Sequence, residues 1–172
     1  YNDLPLNLEM AVTDEMQKIA LNVIPNAICL VPEKREERTT EGGLDVCKSI
    51  TRLRSFLKPI KDKNIRVSLF IEPGEEQIDA AKTIGAEIIE LHTGHFCNLY
   101  ERNDDNYLEV LKVLEKAASY AYSLDLEVHA GHGLTTESVG PVSKIPEMKE
   151  LNIGHAIISD SIFMGLRGAV QL

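Results

Sequence analysis

Short apolar runs alternate along this chain with longer stretches whose apolar residues recur every three or four positions, the pattern of strands followed by amphipathic helices. Leu6 to Val12 reads as a strand, after which Thr13 caps a helix carrying Met16, Ile19, Ala20 and Val23. Ala27 to Val31 is a second strand, and Val46, Ile50, Leu53, Leu57 and Ile60 mark the inner face of a longer helix. Ile65 to Ile71 is a third strand. Pro73-Gly74 then makes a turn, a helix carries Ile78 and Ala81, and Glu87 to His92 is a strand interrupted by an acid and an imidazole. A long loop is expected next, then a helix lined by Leu108, Leu111, Leu114, Ala118 and Ala121. Leu126 to Ala130 is a strand, Val139 to Met148 a short helix interrupted by proline, and Leu151 to Ile158 the last strand.

About six β/α units in strict alternation, with strands apolar enough to be covered on both faces, predict an α/β fold with a parallel sheet wrapped by helices. Length predicts one domain over residues 1–172. A doubly wound open sheet usually has a glycine-rich turn after its first strand, and none follows Val12, so the pattern favours a TIM (β/α)8 barrel. A complete barrel takes about 250 residues. The shorter chain and the absence of an initiator methionine therefore predict a barrel lacking its N-terminal strands.

Composition narrows the function classes. A formal net charge of -9 would repel a polyanion over most of the surface, which argues against nucleic acid as a partner. A small phosphorylated ligand needs only a few local donors, and peptide amides at helix starts can provide them. No apolar run approaches the roughly 20 residues that span a bilayer, and the N-terminus lacks signal-peptide character, so a cytoplasmic protein without a membrane partner is expected. Cys29, Cys47 and Cys97 are odd in number and widely spaced, and read as reduced packing residues. The charged segments Glu33 to Arg38 and Glu101 to Asp105 read either as a solvated rim or as a mobile lid.

Candidate chemistry gathers at strand ends. In a parallel barrel, polar residues there point into a shared mouth. Glu9 alternates with Asn7 on one face of the first strand, fitting either a general base or a structural acid. Glu90 and His92 share a face of their own strand, where burial should push the carboxyl towards its neutral form; a satisfied core acid is the alternative. His95 follows in the next loop and is expected to face solvent. His132 lies between Gly131 and Gly133, which leave room for a ligand, and precedes Thr135, Thr136 and Glu137 at a helix start. A second Gly/His turn, Gly154-His155, follows the last apolar run, and loops after the last strands of such barrels often bind phosphate. His92 with His95, and His129 with His132, have ligand-like separations, yet strand residues three apart face opposite ways, so metal binding is the minority reading.

The residues form a recognisable set: Asn7-Leu8-Glu9-Met10-Ala11-Val12, Leu30-Val31-Pro32-Glu33-Lys34-Arg35, Thr39-Thr40-Glu41-Gly42-Gly43-Leu44-Asp45-Val46, Val67-Ser68-Leu69-Phe70-Ile71, Glu90-Leu91-His92-Thr93-Gly94, Ala130-Gly131-His132-Gly133-Leu134 and Leu151-Asn152-Ile153-Gly154-His155-Ala156-Ile157-Ile158. Across nearly its whole length the chain resembles the pyridoxine 5′-phosphate synthase family. The resemblance implies condensation of 1-deoxy-D-xylulose 5-phosphate with 3-amino-2-oxopropyl phosphate to give pyridoxine 5′-phosphate, phosphate and water, with no metal and no organic cofactor. It implies that Glu9 is a proton acceptor, His132 a proton donor and Glu90 a stabiliser of the transition state. Thr39, Gly133, Gly154 and His155 become ligand-binding positions, the loop holding Thr39 a mobile lid, and the assembly a homo-octamer. The family's two earlier strands, with a further catalytic histidine and phosphate-binding arginines, have no counterpart here, nor does its final helix. A longer parent protein is therefore expected.

Overall fold

A computed structural model describes residues 4–34, 37 and 42–171. Six parallel strands lie in chain order: β1 (Asn7–Ala11), β2 (Ala27–Val31), β3 (Arg66–Ile71), β4 (Ile88–His92), β5 (Glu127–Gly131) and β6 (Met148–Asn152). Between and after them run α1 (Asp14–Val23), α2 (Val46–Lys61), α3 (Glu75–Ile84), α4 (Gly94–Glu101), α5 (Tyr107–Ser123), α6 (Val139–Ser143) and α7 (His155–Val170). Local chemistry sets several boundaries. Thr13 caps α1 by accepting the Met16 N–H, Asp45 caps α2 by accepting that of Lys48, and α3 stops at Gly85, whose φ of 83° suits glycine.

Alternation along each strand separates two environments. Ile28 and Leu30, Val67 and Leu69, Ile89 and Leu91, and Val128 and Ala130 join the buried apolar cluster, together with Leu53, Leu57 and Ile60 of α2, Ile78 and Ala81 of α3, and Leu114, Ala118 and Ala121 of α5. The other face is polar. Register aligns Glu9 with Cys29 and Cys29 with Ser68, Phe70 with Glu90, Glu90 with His129, His92 with Gly131, and Gly131 with Asn152. Because Glu9 of the first strand and Asn152 of the last line one cavity, the sheet is curled around that polar face.

Four local expectations need correction. The last strand is Met148–Asn152, and Ala156-Ile157-Ile158 instead begin α7. Its sequence hides it, since Glu150 and Asn152 belong to the polar face and β6 has little burial. Residues after His92 form α4, anchored by fully buried Phe96, rather than a long loop. The helix expected through Met148 is only Val139–Ser143, and residues 135–138 form a turn in which the Thr135 N–H donates to Ser138 Oγ at 3.0 Å. Cys29 and Cys97 are buried as packing residues, whereas Cys47 is exposed; all three are free thiols. No helix is long and apolar enough to cross a membrane among the described residues.

Candidate active site

A cavity of about 860 Å³ opens at the C-terminal ends of the strands. It brings together Glu9, Glu90, His132, Gly133, Gly154 and His155, six of the seven positions singled out from the sequence. Thr39, the seventh, lies outside the described residues, as do Arg35, Glu36 and Arg38 of the charged segment.

Glu90 is the most constrained of these groups. Only 4% of it is exposed, and its Oε2 accepts hydrogen bonds from Asn152 Nδ2 at 2.7 Å and from Cys29 Sγ at 3.4 Å. Burial raises its pKa to about 7; the two donors pull it down less, and the charges of Glu9 and Glu150 add to the rise. The carboxyl can occupy this place because position 131 is glycine. A Cβ there would collide with Glu90 Oε1 and lie 3.1 Å from Asn152 Cβ. Burial also raises the Cys29 thiol well above its ordinary value, so it serves here as a neutral donor.

His132 is held in a turn of unusual backbone. Its φ is 80° and that of Gly133 is 81°; for histidine this is a sparsely populated region, at a cost of order 1–3 kcal/mol. Thr93 supports the turn. Its N–H donates to the Gly131 carbonyl at 2.9 Å, and its hydroxyl lies 2.6 Å from that oxygen and 2.7 Å from the His132 carbonyl oxygen, one hydrogen shared between two acceptors. The His132 ring stands 4.9 Å from that of His92 and 6.1 Å from Phe70, centre to centre. Withdrawal from water lowers the His132 pKa, the charge of His92 lowers it further, and Glu9 and Glu72 oppose the shift.

His155 begins α7, with Gly154 at its N-cap and no side chain occupying the cap, so the first amides of α7, which breaks at Gly165, border the cavity. Gly94 and His95 at the start of α4 border it too. His95 is exposed, as expected. His129 does not converge with His132: it is buried in the sheet's interior, where its Nε2 pairs with Glu127 Oε1 at 2.8 Å. Among the described residues no group of three His, Cys, Asp or Glu side chains is arranged to hold a metal ion.

Sequence reasoning missed Asn152, Thr93 and Glu72. The Glu90 to Asn152 bond spans 62 positions, and that of Thr93 to His132 spans 39. Register is the signal that could have found Asn152, since the residue on the polar face beside Gly131 must lie against Glu90.

The family described as "Pyridoxal phosphate biosynthesis protein PdxJ" matches residues 1–172. The pyridoxine 5′-phosphate synthase of Sulfurihydrogenibium sp. is 54% identical over 98% of this chain and 68% of its own length. That of Ruegeria pomeroyi is 53% identical over 97% and 68%. At 15% identity, a xylose isomerase domain protein from Planctomyces limnophilus superposes with a TM-score of 0.58, covering 98% of this chain and 71% of the other, a likeness of fold alone. With a match along its whole length and relatives that are identical at more than half of the aligned positions, the chain belongs to the PdxJ family.

Proposed function

We propose that this cavity is the active centre of a pyridoxine 5′-phosphate synthase, condensing 1-deoxy-D-xylulose 5-phosphate with 3-amino-2-oxopropyl phosphate to pyridoxine 5′-phosphate, phosphate and water. The observation that carries the reading is the meeting of Glu9, Glu90 and His132, from three separate strands or strand ends, in one cavity. Imine formation, phosphate elimination and ring closure each move protons, and a carboxylate with an imidazole can alternate as base and acid. In this reading Glu9 removes protons and His132 returns them. The lowered pKa of His132 favours a neutral ring near pH 7, able to accept one proton and deliver it. Glu90, titrating near 7, can present either a hydrogen-bond donor or a negative charge to a cationic intermediate, which suits a stabiliser of the transition state.

Two phosphorylated substrates must be held together. The α7 start at Gly154 and His155 suits one phosphate, and the backbone at Gly133 suits the other ligand; Thr39 completes the set in the loop read as a lid. The same reading makes the six-stranded curled sheet the greater part of a TIM (β/α)8 barrel that lacks its N-terminal strands, one domain over 1–172, in a cytoplasmic homo-octamer. No metal or organic cofactor enters it.

Incubating the full-length protein with both substrates and following pyridoxine 5′-phosphate by chromatography tests the proposal. Turnover of one substrate without the other would replace it with an isomerase or epimerase. Glu9→Gln and His132→Asn should each lower turnover on the order of 100-fold or more while substrate still binds.

A further inference from the structure

His92 is one of the polar groups of this cavity that the reading above leaves idle, and its surroundings are built rather than incidental. It is 9% exposed, closes β4 and lines the cavity. Its Nδ1 lies 3.0 Å from Glu72 Oε1, and the same oxygen accepts the Gly43 N–H at 2.8 Å. Phe70 meets the ring edge-on, with centres 4.9 Å apart and planes at 80°. A carboxylate on Nδ1 and an aromatic wall fix both the tautomer and the orientation of the imidazole, with Nε2 as the remaining nitrogen. Space is kept over that nitrogen. Position 94 is glycine, and a Cβ there would lie 2.8 Å from Nε2, closer than a Cβ can sit without displacing the ring. A histidine that served only to fill the core would not need that clearance.

Resting on the synthase reading, we propose that His92, oriented by Glu72, is an additional proton-transferring imidazole of the same reaction, acting beside His132. Nε2 takes one proton from a substrate N–H or O–H as the carbon–nitrogen bond forms and returns it to the oxygen that leaves as water. The ring therefore ends each turnover as it began. Glu72 is a positioning residue: it acts through His92 and, through Gly43, ties the ring to the segment that enters α2.

The test is steady-state kinetics on the full-length protein with both substrates, comparing wild type, His92→Gln, His92→Ala and Glu72→Gln. His92→Gln should lower kcat about 100-fold with KM changed less than about threefold, and Glu72→Gln should lower kcat about tenfold in the same way. Added imidazole should restore at least about tenfold of the activity lost in His92→Ala and none in His92→Gln, where the space is filled. A His92→Gln enzyme with wild-type kcat, a loss confined to KM, or a folded His92→Ala enzyme that imidazole does not rescue would overturn the assignment. Should His92→Ala fail to fold by circular dichroism, the kcat of His92→Gln and Glu72→Gln decides. Wild-type protein inactive on the two substrates would instead overturn the synthase reading itself.

Discussion

Glu90 on β4 and Glu9 on β1 open into one cavity, yet only Glu90 is sealed. β4 lies between β3 and β5. Two donors reach Glu90 from one strand further out on either side, Cys29 of β2 and Asn152 of β6, while Glu9 is exposed. One residue type thus receives two settings from its place in the sheet, which is how a single cavity can hold carboxyl groups with different tasks.

The strongest way to break that comparison is Glu90→Gln. It should lower kcat on the order of 100-fold and remove an inflection near pH 7 from the rate profile; a profile that keeps the inflection would assign it elsewhere. Next is stability against pH. Between about 4.5 and about 7 the unfolded chain has released the proton that folded Glu90 retains, so its contribution falls as pH rises through that window and is constant above it. The fall should be on the order of 2–3 kcal/mol, and urea titrations of Glu90→Gln at pH 5 and pH 8 should show it gone. Thr93→Val keeps shape and removes the hydroxyl that supports the His132 turn. We expect a loss of about 1–2 kcal/mol in urea unfolding and a kcat reduced more than KM is raised. The smallest effect is Glu9→Gln on stability, within about 0.5 kcal/mol for an exposed side chain; a larger change would mean that Glu9 is structural.

Much of this was legible in the chain. The first five strands and the helices α1, α2, α3 and α5 follow from apolar period, and the Gly131-His132-Gly133 turn stands out because histidine between glycines has no packing rationale. What escaped has physical causes. β6 was misplaced because one of its faces is polar and the other only partly covered, so its apolar signal is weaker than that of the helix start that follows. α4 was hidden because it opens with Gly94 and His95, neither a strong helix former. The Glu72 to His92 pair joins residues 20 positions apart, one just past β3 and one at the end of β4, and no local pattern encodes which carboxylate turns towards which imidazole.

The missing side chain at position 131 reaches beyond the catalytic question. Any L-residue there would displace the Glu90 carboxyl, and with it the contacts to Asn152 and Cys29. The residue allowed at 131 therefore depends on the one at 90. A library that varies position 131 alone should recover little besides glycine, whereas joint variation, with a shorter acid at 90 and alanine at 131, opens combinations that this single step cannot reach. The epistasis of this pair is set by the absence of one carbon atom.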